Sequence, residues 1–372
     1  MSRGSCGFTI TSARVFDECY SHLQSAREAF QQIPPDIATS KSHIQFCTST
    51  LFKHCDDVRS SLSDDNWKAW IKQARNHPLF SLILEGDLIT RLAYQKLRGY
   101  AGDARLLDYL YYGVNIEDNL SDWEKFCTSV TFHNRPPFIV RQRAFFIGQW
   151  ADKLARDVIN SSNLGHIRVL SIASGHCREM FCSRQFLNGK INLTALDQDS
   201  QSIEHTKTEL YERAKLPVNF INEPIAAIIK GKSELQSQGQ IYDGIYSAGL
   251  FDYLNDKTGS MLITRLFKML SPGGQLLIAN VAGSLPGIGF MELQDWNLIY
   301  RDIAGMKLLL AGADLPSKQI QKQTFEISAN CVYLTIQRSL GDTTVKQNSV
   351  SDELCAFTQF NTQSLSPMRA RL

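Results

Sequence analysis

The chain has 372 residues, 43% of them hydrophobic and 20% charged, an ordinary globular balance with length for two cores. Lys plus Arg total 39 against 37 for Asp plus Glu. The formal charge of +2 argues against nucleic acid as a partner, since its binders carry a basic excess or stripe, and no run of about 18 apolar residues offers a membrane span.

The nine cysteines are scattered, odd in number and without a CxxC pair. They fit free thiols in a reducing compartment, with neither a disulfide framework nor a zinc site. His54-Cys55-Asp56-Asp57 has metal-binding residue types, but helical neighbours point apart and ligand sets must converge; no metal is expected. No secretory signal is visible, so the expected location is cytoplasmic.

Residues 9–33 place Ile10, Val15, Phe16, Tyr20, Leu23 and Phe30 near helical spacing and stop at Pro34-Pro35. Further helices are expected at 38–61 and 65–76, two more within 78–112 broken at 98–103, and another at 119–132. His133-Asn134-Arg135-Pro136-Pro137 reads as a break, followed by a long helix over 137–160. From 165 short apolar runs alternate with helical patterns. Strands are expected at 167–172, 192–197, 217–222, 241–247 and 274–282, with helices at 177–187, 200–215, 224–231 and 256–270 between them. One more helix and two strands, 319–327 and 331–338, follow. The short gap between those strands predicts an antiparallel hairpin. This alternation gives an α/β fold, a doubly wound and mostly parallel sheet with helices on both faces, behind an all-helical N-terminal module. The expected domains are 1–136 (helical module), 137–340 (α/β domain, with 137–160 as connecting helix) and 341–372, a polar, loosely ordered tail.

In an open α/β sheet ligands bind outside the carboxyl ends of the strands. The first strand runs into Ala173-Ser174-Gly175-His176-Cys177-Arg178-Glu179. A dinucleotide fingerprint needs three glycines, and only Gly175 is present, so a nucleoside cofactor without a pyrophosphate fits better. Asp197 ends the second strand, where a carboxylate can accept both ribose hydroxyls; Gln198 follows it, and Asp199 reads as the next helix's N-cap. Asn222 and Glu223 end the third strand, where a polar group can read an adenine edge or simply cap a helix. Ser247, Ala248 and Gly249 end the fourth and leave room for a close approach, with Phe251 or Tyr253 as a wall.

Together these residues resemble S-adenosylmethionine (SAM)-dependent methyltransferases of class I over about 165–338. A narrower resemblance, through LRGYAGDARLLDYLYYG (97–113), SAGLFDYL (247–254) and FMELQDWNLIYRD (290–302), is to a bacterial subfamily described as 3-hydroxypalmitic acid methyl ester biosynthesis proteins. The resemblance implies a seven-stranded sheet, SAM as cofactor and methylation of a small molecule. It also places Tyr100 and Asp103 on the lid side of the pocket.

Methyl transfer is an in-line displacement in which alignment carries much of the rate. A carboxylate acceptor needs no base but does need an anchor, and Arg98, Arg141, Arg143 and Arg301 are candidates. A hydroxyl or amine acceptor would need Glu292, Asp295 or His176 to take its proton. If their segment is helical, Glu292 and Asp295 share a face. Trp296 and Tyr300 read as core or substrate wall. Three functions stay open: transfer to oxygen, transfer to nitrogen in a specialised-metabolite pathway, and a SAM-binding scaffold without turnover. The N-terminal helices could cover the sheet edge, roof the site or form a homodimer.

Overall fold

The computed structural model describes residues 8–113, 119–162 and 164–340; the stretch 341–372, read above as a tail, lies outside the described residues. Eight helices come first: α1 (Ile10–Phe30), α2 (Ile37–Ser61), α3 (Asp64–Arg75), α4 (Pro78–Gly86), α5 (Leu88–Gln95), α6 (Ala104–Tyr112), α7 (Asp122–Thr131) and α8 (Arg135–Ser162). Their starts carry side-chain caps where the sequence supplies them. Thr9, Asp36 and Asp103 each accept a backbone N–H, and Ser121 with Glu124 forms a capping box.

Two expectations for the helical half need correction. The stretch 78–112 holds three helices, because the Asp87 carboxylate accepts from Ile89 and Thr90 N–H and starts α5 directly after α4. Nor is Pro136-Pro137 a break. Both prolines lie in the first turn of α8, where their missing N–H groups would have had no helical partner.

The α/β half contributes β1 (Ile167–Ile172), α9 (Arg184–Leu187), β2 (Ile191–Asp197), α10 (Ser200–Thr206), β3 (Val218–Asn222), α11 (Ile225–Lys230), α12 (Glu234–Ser237), β4 (Tyr242–Ser247), α13 (Asp256–Lys268), β5 (Leu270–Val281), α14 (Ile288–Leu293), α15 (Ile303–Ala311), β6 (Ile320–Ser328) and β7 (Cys331–Arg338). The helix expected over 177–187 is a 3₁₀ turn, Arg178–Cys182, followed by α9. The one over 200–215 is α10 continued by a wide π turn, Lys207–Arg213. The sheet has seven strands in the order β3-β2-β1-β4-β5-β7-β6. β1 to β5 are parallel, and β7 runs antiparallel to β5 and to β6, as the short hairpin gap predicts.

Strand alternation sorts the core into two layers. Val169, Leu193 and Leu277 pack with Ile147 and Leu154 of α8. Leu170, Leu196 and Leu276 face the other way, onto Leu262, Leu266 and Leu309 of α13 and α15. Each such fully buried aliphatic side chain contributes roughly 1.5–3 kcal/mol. A third core lies among the N-terminal helices around Phe16, Leu51, Trp67 and Trp70, and α14 reaches into it with Phe290 and Leu293. Here a Cβ on Gly289 would stand 2.5 Å from the backbone of Cys55, and both Asp56 oxygens accept N–H groups, from Gly287 and Gly289. Thus His54, Cys55 and Asp56 do diverge: His54 contacts Ser12, Cys55 is buried in the core and Asp56 holds α14.

Candidate functional site

A cavity of about 580 Å³ opens at the carboxyl ends of β1, β2 and β4, roofed by residues 96–111 and flanked by α8 and the segment 291–298. Its floor is the turn after β1. Ala173, Gly175 and Cys177 have φ of 52°, 51° and 53°, so alternate residues take the left-handed conformation normally left to glycine. The sequence lacks the glycine-rich motif, yet the backbone takes left-handed φ at three alternate positions, two of them not glycine. That geometry presents Ser174, whose buried hydroxyl has no partner beyond the nearby Cys177 thiol.

Asp197 closes this floor. One carboxylate oxygen accepts Gly175 N–H at 2.8 Å and the other accepts Asp199 N–H at 2.9 Å. Each oxygen keeps a second lone pair, and the side chain lines the cavity. Burial raises its pKa while the two N–H groups pull it back. Glu179 also lines the cavity and accepts the Tyr111 hydroxyl at 2.9 Å. Gln198 and Ile225, just past the ends of β2 and β3, continue the wall. On the opposite side lie Ala248 and Gly249, then Asp252 and Tyr253, whose hydroxyl accepts Trp296 Nε1–H at 2.8 Å.

Several predicted residues do other work. Arg98 ties the helical module to α10, donating to Asp199 at 2.7 Å and Ser202 at 2.6 Å. Tyr100 lines the cavity and donates to Asp199 at 3.1 Å; burial and the Asp199 and Asp197 charges push its phenol up. Burial opposes ionisation of Asp199, but hydrogen bonds from Ser202 and Arg98 outweigh it and hold the carboxyl below its usual range. Asp199 caps α10 as expected. Arg178 lines the cavity, but its guanidinium is spent on Asp108 and Glu209. Asp108, His176 and His205 come close enough for a metal ion, yet Arg178 holds Asp108 at 2.6 and 2.8 Å and lies 3.0 Å from His205, so a cation already fills that role.

Other candidates lie off the cavity. Arg141 donates to the Leu110 and Phe132 carbonyls. Arg301 is bound by Asn280, Asp256 and the Phe251 and Leu254 carbonyls. Asp103 caps α6. Asn222 holds the Asp197 carbonyl, and Glu223 accepts Glu234 N–H. Ser247 and Phe251 are fully buried, and Tyr300 is a half-buried neighbour of the core. Glu292 and Asp295 do not share a helical face, because α14 ends at Leu293 and Asp295 has φ 62°. Glu292 instead receives Arg59 and Trp67, while Asp295 lines the cavity rim and pairs with Lys96.

Sequence reasoning gave no role to Asp252, Tyr111 or Lys96. Asp252 and Tyr111 sit inside the unusual strings quoted above, which was the available signal; Lys96 carried none. Arg143 was one of four equivalent arginines, and it is the one that lines the cavity.

No protein-family model matches the chain, and no curated protein matches it by sequence. Among solved structures, the chain is similar to a possible exported protein from Bordetella parapertussis (14% identity, TM-score 0.45, 89% of this chain and 99% of that one). It is also similar to magnesium protoporphyrin IX methyltransferase from Synechocystis PCC 6803 with bound S-adenosylhomocysteine (SAH) (13%, 0.40, 55% and 88%). A third is the N-methyltransferase NodS from Bradyrhizobium japonicum WM9 (13%, 0.32, 51% and 95%). Among the described residues no helix is long and apolar enough to cross a membrane.

Proposed function

We propose that the chain is a SAM-dependent methyltransferase that methylates an oxygen, carboxylate or hydroxyl, of a small-molecule acceptor. The observation that carries this reading is Asp197, a cavity-lining carboxylate fixed by two backbone N–H groups beside a turn of alternating left-handed residues. It is suited to a ribose diol. Ser174 and Glu179 would hold the amino-acid end of the cofactor, and Gln198 and Ile225 would border its base. The bare turn, without three glycines, suits a ligand lacking phosphate. Bound there, SAM supplies an electrophilic methyl group on a sulfonium. The chain's own part is to align an acceptor oxygen beside Ala248 and Gly249 and to exclude water, through the roof of 96–111 and the Tyr253–Trp296 wall. The narrower subfamily assignment, a cytoplasmic location and a homodimer through the N-terminal helices belong to the same proposal.

Calorimetric titration with SAH tests it: the wild type binds, and Asp197→Ala loses most of the affinity. Absence of wild-type binding to both SAM and SAH would leave the scaffold reading without its cofactor and sink the enzyme reading.

A further inference from the structure

Arg143 is a buried guanidinium with unspent donors. It projects from α8 into the cavity and is only 5% exposed. Its Nε has no hydrogen-bond partner among the described residues. Its ion-pair partner, Asp252, stands 3.7 Å away, past hydrogen-bond distance. Burying a charge this incompletely paired is costly, and native structures satisfy such groups with a ligand or water far more often than they leave them orphaned. Arg98, Arg141, Arg178 and Arg301 each donate at hydrogen-bond distance to carbonyls or carboxylates. Arg143 also lies over the end of β4, where a Cβ on Gly249 would come within 3.3–3.4 Å of its terminal nitrogens. Ile139, Val140, Leu107 and Leu285 supply apolar wall beside it.

We propose that Arg143 is the acceptor-recognition residue, that the acceptor is an organic carboxylate with an apolar body, and that Asp252 is an internal counter-ion whose pairing with Arg143 the acceptor takes over. This rests on the methyltransferase reading and narrows its acceptor.

Asp252 cannot move away easily, because its other oxygen accepts Val281 N–H at 2.7 Å. It can instead lose its charge. Burial pushes its carboxyl up to about 7, against the pull of Arg143, the Val281 N–H and Arg301. Tyr253, Tyr300 and Cys331 are the other ionisable groups that couple to it, and burial keeps all three protonated by raising their pKa. An anion arriving at Arg143 therefore favours proton uptake from solvent by Asp252. Below about pH 7 Asp252 is already neutral and Arg143 is free to pair. Above it the ionised Asp252 competes and repels, so affinity falls tenfold per pH unit at most.

The test is calorimetry on the full chain saturated with SAH, using benzoate and hexanoate against the alcohols and amines of the same carbon skeletons. The acids should bind at least tenfold tighter than their partners, and about tenfold weaker at about pH 8 than at about pH 6. Comparing two buffers of different ionisation enthalpy should show close to one proton taken up at the higher pH. Arg143→Gln should lose tenfold or more in acid affinity, with Arg143→Lys intermediate, and Asp252→Asn should bind with no pH dependence. Retained SAH binding shows that each variant is folded. Acids binding no better than alcohols and amines, no acid binding up to about 10 mM, or an unaffected Arg143→Gln would each overturn the proposal. Failure of SAH to bind is a separate result that removes the methyltransferase reading, while the acid titration can still be read on the chain alone.

Discussion

The two sides of the cavity are built by different means. The side proposed for the cofactor is backbone work: a turn at φ near 50° and one carboxylate clamped by two N–H groups, all within the stretch from β1 to Asp199. The side proposed for the acceptor is side-chain work. Arg143 from α8, Asp252 and Tyr253 after β4, and Met291 and Trp296 from the segment behind β5 converge from distant parts of the chain. A backbone-built site fixes one ligand chemistry rigidly, whereas a side-chain-built one can be retuned by single substitutions.

The largest expected effect is on the backbone-built side. On the proposed reading Asp197→Ala removes two ribose contacts, and it unpins Gly175 and Asp199, so SAH affinity should fall about 100-fold or more, at roughly 1.5–3 kcal/mol per charge-assisted hydrogen bond; a change under threefold by titration would break the contrast. Next is Gly148→Ala in α8, whose Cβ would stand 2.6–2.8 Å from Cys182, backbone included. Overpacking beneath the turn should cost about 1–3 kcal/mol in urea unfolding and weaken SAH binding. Gly289→Ala strikes the other side, where α14 meets the Cys55 backbone. A stability loss of similar size is expected, with acid affinity reduced and SAH affinity within about twofold. Equal losses for both ligands would show the two sides to be one unit. The smallest effect is Ala173→Gly, which relieves a left-handed alanine. Unfolding free energy should rise by about 0.5–1 kcal/mol with SAH affinity unchanged.

The same division explains what could be read in the sequence. Strand β1 was expected over the residues it occupies, 167–172, and the other strands within a few, because buried parallel strands write their apolar runs locally. Asp197 was legible for the same reason, since its place at a strand end is a local fact. Arg98, Arg141, Arg143 and Arg301 were indistinguishable as letters. Which of them finds carbonyls and carboxylates, and which is left facing a cavity, depends on tertiary packing: Arg98 meets Asp199 and Ser202, Arg141 meets Leu110 and Phe132, and Arg301 meets Asn280 and Asp256. Glu292 and Asp295 went astray through one local event, the left-handed Asp295 that ends the helical run. The split of 78–95 at Asp87 was hidden because one aspartate both follows α4 and caps α5.

The ties of Arg98 to Asp199 and of Asp108 to Arg178 have a bearing on modularity. Each joins a residue before 113 to one after 175, and both sets of side chains are largely shielded from water. A chain cut at the expected boundary near 136 would leave Arg178 without one of its two acidic partners and the turn after β1 without its cover. The α/β half is therefore not a portable cassette. Its working shape depends on the helices made before it, and the two halves should melt as one cooperative transition.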